Sequence, residues 1–127
     1  MVGLVLISHS RKLLEGIQEI IDEMAKGIPL YLAGGNPEGG LGSNYELIKE
    51  TIQKASSSEG TVILYDIGSS FMTAELVLEE FDDSISSVVK IMKAPLVEGS
   101  IVAAVEISTG ASLEAVCESL KEIEMIK

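Results

Sequence analysis

The chain has 127 residues, 46% of them hydrophobic but only 4% aromatic, with no tryptophan. Its core must come from Val, Ile, Leu, Ala and Met, the usual filling between helices and a parallel sheet, within a single domain over 1–127. A net charge of −11 repels phosphate backbones and argues against nucleic-acid binding, and no apolar run approaches the ~20 residues of a membrane span. The N-terminal run lacks the marks of a signal peptide, and the lone Cys117 excludes an intrachain disulfide, so the chain reads as soluble and cytoplasmic.

Val2–Ser8 (VGLVLIS) is apolar without clean alternation, which predicts a strand covered on both faces. After His9, the residues Leu13, Leu14, Ile17, Ile20, Ile21 and Met24 recur at threes and fours. That spacing predicts an amphipathic helix, with Gly27 as its stop. Ile28–Ala33 is a second strand, whose early proline suits an edge. Ser43 and Glu46 have capping-box spacing and open a helix burying Ile48, Ile52 and Ala55. SSSEG at 56–60 is a plain connection.

Thr61–Asp66 (TVILYD) is a third strand, and the helix after it presents Phe71, Ala74, Leu78 and Phe81. Ser87–Ile91 is a short edge strand. The stretch from Pro95 to Ser108 is read as a helix beginning at the proline, in preference to a strand. Leu113, Val116, Leu120 and Ile123 give a last helix its stripe. Alternating strands and helices imply an α/β fold: a mainly parallel sheet of about four strands with helices on both faces. In such folds sites gather at the carboxyl ends of strands, near the switch in strand order.

Three loops fall there. His9, the only histidine, ends the first strand just before a helix. An imidazole there can act as nucleophile, base or metal ligand, and with no second histidine it makes a poor zinc site. A phosphate on it would face a helix N-terminus, with Ser8, Ser10 and Arg11 as further donors. The same residues equally suit a plain helix start, in which Ser10 caps and His9 packs. Asp66 ends another strand on the same edge. It can bond one ring nitrogen and leave the other free to attack, or cap the following helix. Gly68, Ser69 and Ser70 offer donors for an anion. The loop AGGNPEGGLGSN, with Gly34, Gly35 and Gly42 among five glycines, matches neither a P-loop nor a dinucleotide fingerprint.

Taken together, LVLISHSRKLLEG, AGGNPEGGLGSNYELI, LYDIGSSFMTAELVLE and APLVEGSIVAAVEISTGASLEAV resemble the phosphotransferase subunit family of phosphoenolpyruvate-dependent dihydroxyacetone kinases, commonly called DhaM. The resemblance covers nearly the whole chain. It implies a mannose-type IIA-like fold with flavodoxin-like layering, usually as a homodimer. It implies that His9 takes phosphate from the carrier HPr, itself charged through enzyme I, and passes it to ADP held on a DhaL subunit. Dihydroxyacetone bound to DhaK is the final acceptor. Carried over, His9 is the phosphocarrier and Asp66 its orienting carboxylate. Ser8, Ser10, Arg11, Gly34, Gly35, Gly42, Ser43, Gly68 and Ser69 form the phosphate and partner rim, with Leu13, Leu41 and Phe71 as candidate apolar contacts.

No cofactor or metal is expected in this chain, ADP and magnesium belonging to the partner subunit, and phosphate must come from separate proteins. Ser43 stands where the family often has threonine, which keeps the hydroxyl. The mannose-transporter branch usually carries G-H-G at the histidine and a bulkier loop after the aspartate. S-H-S and D-I-G-S-S here argue against it. A transporter IIA component and a flavodoxin-like binding module with an incidental His9 stand as the alternatives.

Overall fold

The computed structural model describes residues 1–124. Its elements alternate as β1 (Gly3–Ser8), α1 (Arg11–Met24), β2 (Leu30–Gly34), α2 (Tyr45–Ala55), β3 (Thr61–Tyr65), α3 (Gly68–Glu79), α4 (Asp83–Ser86), β4 (Val89–Ile91), α5 (Leu96–Ser108) and α6 (Leu113–Lys121). The strands pair in parallel in the order β2-β1-β3-β4.

The lack of alternation in β1 has a direct cause. Leu4 and Leu6 pack on one face with Leu14, Ile17 and Ile21 of α1 and with Ala103 and Ile107 of α5. Val5 and Ile7 pack on the other with Ile48 and Ile52 of α2 and with Ala74 and Val77 of α3. Each large aliphatic side chain buried in this way contributes about 1.5–3 kcal/mol. With both faces covered, neither parity of the strand can be polar.

Several local expectations are corrected. Only Leu14, Ile17 and Ile21 of α1 are buried, while Leu13, Ile20 and Met24 are exposed. The buried arc is thus narrower than the apolar one. Helix α2 is capped by Asn44, whose Oδ1 accepts from Leu47 N at 2.8 Å, so Ser43 lies one residue outside the cap. Pro95 occupies the N-cap of α5 and not its first turn. Phe81 lies beyond the end of α3, and the single-turn α4 had no periodic signal to announce it.

The topology places the site. All four strands run the same way, so their carboxyl ends share one edge. From β1 the chain crosses to β2 on one side, then returns past β1 to β3 on the other. The switch point lies between the ends of β1 and β3. His9 follows β1 and Asp66 follows β3, and the register pairing Ile7 with Tyr65 carries the two to the same level.

Candidate functional site

Asp66 is the hub of the site. Its Oδ2 accepts from Ser8 Oγ at 3.0 Å and from the His9 backbone N–H at 2.9 Å. Its Oδ1 accepts from the Ile67 N–H at 2.7 Å and from Ser70 Oγ at 2.9 Å. Burial alone would raise the pKa of this carboxyl. The hydrogen bonds from His9 N, Ser70, Ile67 N and Ser8 outweigh it and hold the group below its ordinary range. At neutral pH Asp66 is therefore an anion that can only accept.

That fixes the imidazole. His9 Nδ1 stands 3.3 Å from each Asp66 carboxylate oxygen and 3.3 Å from Ser70 Oγ. With acceptors at Nδ1, the hydrogen of the neutral ring resides there and Nε2 keeps its lone pair. Ser69 Oγ lies 3.0 Å from Nε2 and donates to it. The His9 side chain remains 27% exposed against 16% for Asp66, so a group approaching from solvent reaches Nε2 while Nδ1 faces the protein.

The backbone around His9 is laced to the glycine loop. The Gly35 N–H donates to Ser8 O at 3.1 Å and the Gly42 N–H to His9 O at 3.0 Å. Gly35, which serves this lacing, and Gly34, which pairs with Ser8 in the sheet, are buried, so they are structural members beneath the rim. A Cβ on Gly34 would meet Arg11 Cα at 2.7 Å, and one on Gly35, whose φ is +66°, would meet Gly40 O at 2.6 Å. Ser8 is also buried, with its hydroxyl committed to Asp66. Ser10 caps α1 by accepting from Leu13 N at 3.2 Å. Arg11, Ser43, Gly68 and Ser69 are exposed and Gly42 half-exposed; of these, Ser69 touches the imidazole directly.

Helix α3 begins without a side-chain cap, because Ile67 stands at its N-cap and Asp66 is turned toward His9. The Ser70 N–H already donates to Ile67 O at 3.0 Å, and the N–H groups of Gly68 and Ser69 before it are the kind that receive an anion. Leu13, Leu41, Ile67 and Met72, on the loops and first helical turns that follow β1, β2 and β3, are exposed apolar residues. Composition did not single out Ile67 and Met72, since an isolated apolar residue in a loop or helix has no periodic signature. Phe71 is turned elsewhere. It packs on Tyr65 with centroids 5.4 Å apart and lines an open groove of about 680 Å³ between α3 and β4 that includes neither His9 nor Asp66. Among the described residues no group of three or more His, Cys, Asp or Glu is arranged to hold a metal ion, and no helix is long and apolar enough to cross a membrane.

A histidine and a carboxylate at the switch point of a small parallel α/β sheet define a class that the family comparison also identifies. The model described as the fructose IIA component of the phosphotransferase system (EIIA-man) matches residues 3–117. The phosphoryl donor subunit DhaM of a phosphoenolpyruvate-dependent dihydroxyacetone kinase of Listeria innocua is 39% identical over 97% of this chain and 99% of its own length. The phosphotransferase subunit DhaM of Lactococcus lactis is 31% identical over 95% of this chain and 94% of its own. DhaM of Klebsiella michiganensis is 34% identical over 93% of this chain, which spans only 26% of that longer protein. Among solved structures, a protein of unknown function, EF1359, superposes with a TM-score of 0.86 at 28% identity, covering 98% of this chain and 96% of its own. The chain belongs to the EIIA-man family and, within it, to the DhaM subunits.

Proposed function

We propose that this chain is the phosphohistidine carrier of a phosphoenolpyruvate-dependent dihydroxyacetone kinase, a cytoplasmic phosphotransferase component. His9 accepts a phosphoryl group from HPr and yields it to ADP bound on a DhaL subunit. The observation that carries the reading is the placing of the two ring nitrogens of the one histidine. Nδ1 lies 3.3 Å from both oxygens of an ionised Asp66, which draws the ring hydrogen there, and Nε2, left with its lone pair, lies 3.0 Å from Ser69 Oγ on the exposed side.

In the first step the Nε2 lone pair attacks the phosphorus of the phosphorylated donor. The donor's P–N bond breaks and its electron pair returns to the donor ring, while His9 keeps its hydrogen on Nδ1. The phosphorylated ring becomes cationic, and Asp66, 3.3 Å from Nδ1, offsets that charge. Ser69 must turn its hydroxyl from Nε2 to a phosphoryl oxygen, a hydrogen bond made only once phosphorus arrives. The uncapped start of α3 supplies further donors. In the second step a β-phosphate oxygen of ADP attacks the same phosphorus, and the Nε2–P electron pair returns to His9. Both steps need in-line placement and charge stabilisation more than covalent machinery. ADP and magnesium belong to the acceptor, and this chain contributes no cofactor. Leu13, Leu41, Ile67 and Met72 form the apolar contact surface for the docking proteins, and the working unit is a homodimer.

One observation favours a second reading. The matching family model carries the description of a sugar-transport IIA component, which would hand the phosphoryl group to a IIB domain. The chain phosphorylated by phosphoenolpyruvate, enzyme I and HPr is therefore chased with either ADP-loaded DhaL or a IIB domain. ATP formation with DhaL, absent for His9→Ala, is the expected result. Transfer to IIB alone would replace the kinase reading with the transporter one.

A further inference from the structure

Ser69 and Ser70 are adjacent in sequence but occupy opposite sides of the imidazole. Ser69 is exposed and touches Nε2, whereas Ser70 is 0% exposed and lies on the Nδ1 side. Ser70 therefore cannot be one of the donors that meet an incoming anion from solvent.

Its hydroxyl has a different arrangement. The hydrogen is given to Asp66 Oδ1 at 2.9 Å, and the oxygen lies 3.3 Å from His9 Nδ1. A hydroxyl with its one hydrogen committed presents only lone pairs to its other neighbour. Ser70 thus accepts from Nδ1–H and cannot donate to Nδ1 without withdrawing from the carboxylate. Asp66 alone does not aim the ring, because Nδ1 is equidistant from both of its oxygens and each oxygen already receives two other donors. Of those four donors, Ser8 Oγ and His9 N come from the end of β1 and the residue after it, Ile67 N from the N-cap of α3, and Ser70 Oγ from the first turn of α3. It is also the donor whose own oxygen reaches the ring.

From this geometry we infer that Ser70 is a positioning residue, one that fixes the carboxylate and imidazole as a unit and holds His9 in the Nδ1–H tautomer. The inference is drawn from contacts within the folded chain. Only its kinetic consequence rests on the carrier reading above.

The single histidine makes the test direct, since a long-range 15N–1H correlation spectrum contains one imidazole. In the parent at mildly alkaline pH, Nδ1 is expected at the protonated-type nitrogen shift and Nε2 at the lone-pair type. In Ser70→Ala the two nitrogen shifts should move toward each other, as the ring samples both tautomers. Phosphoryl uptake from charged HPr should then fall roughly 10- to 100-fold, by analogy with the loss of a hydrogen-bonding partner that orients a metal-ligating histidine, with the loss in kcat and not in KM. Ser70→Cys keeps a side chain of similar size with a weak donor. It should give intermediate shifts, and it serves as the test if the alanine variant does not fold.

Unchanged imidazole shifts in a folded Ser70 variant would overturn the inference, and so would a loss confined to KM. Failure of the parent to take up phosphate would instead refute the carrier reading, while leaving the tautomer measurement to decide the role of Ser70.

Discussion

Gly34→Ala tests how the backbone holds the site. Gly34 is the last residue of β2, in register with Ser8 of β1. An added Cβ would lie 2.7 Å from Arg11 Cα, 3.0 Å from Arg11 N and 3.1 Å from Leu14 Cδ1. Comfortable carbon contacts are ~3.5–4.0 Å, so β2 and the start of α1 must part by about 1 Å. The first two obstacles are backbone and cannot rotate away. Overpacking of this kind costs about 1–3 kcal/mol. Arg11 is two residues from His9, and a shift of about 1 Å at a reacting group can cost on the order of 100-fold in rate. Gly16→Ala is the matched control. It lies inside α1 with nothing within 4 Å of its would-be Cβ, so the change should add about 0.5–1 kcal/mol through helix propensity and leave phosphoryl uptake as it was. Urea unfolding of the three chains gives the stabilities and uptake from charged HPr gives the rates. A Gly34→Ala chain as stable and as active as the parent would refute the close approach of β2 to α1 as the feature that seats His9.

Asp66 makes a pH-dependent contribution to stability. Its folded pKa lies below the ordinary value of 3.8, so the stabilisation is present above that value and lost as pH falls through the folded pKa. Asp66→Asn lacks this component, and the gap in unfolding free energy between the two chains should narrow on acidification below 3.8; a constant gap would contradict the assignment. Asn44→Ala should cost about 1 kcal/mol by removing the α2 cap, whereas Ser43→Ala should be near neutral; thermal melts showing the reverse order would restore the Ser43 cap. Leu41 and Met72 are 78% and 64% exposed, so Leu41→Glu and Met72→Glu should leave melting unchanged. Either should raise the KM for charged HPr about 5- to 10-fold, in line with ~1 kcal/mol or more for a useful interface contact. An unchanged KM would remove those residues from the docking surface.

The strands and their shared edge were legible in the sequence because a parallel α/β sheet leaves a strong trace. Apolar runs such as VGLVLIS and TVILYD end on the residues that become the site. The meeting of His9 and Asp66 followed from topology alone. What the sequence hid was finer than its periodicities resolve. Ser43 and Asn44 are both good caps one residue apart, and only the bond to Leu47 N separates them. A threes-and-fours pattern cannot say where the apolar arc of α1 stops being buried, which is why Leu13, Ile20 and Met24 are exposed. Ser8 and Ser70 looked like donors for an incoming anion, because a serine carries no mark of which way its hydroxyl turns. Both are buried and bound to Asp66. The resemblance puts Gly34 and Gly35 on the phosphate and partner rim, yet both are buried and their lack of a Cβ serves close packing.

The central claim is that the one imidazole carries a phosphoryl group, and intact mass tests it most directly. The chain and a His9→Ala control are each mixed with phosphoenolpyruvate, enzyme I and HPr, then weighed before and after brief acid treatment. A single added phosphate that is acid-labile and absent from the control is the result expected. No mass gain from a demonstrably charged HPr, or an acid-stable gain that survives in His9→Ala, would contradict the account.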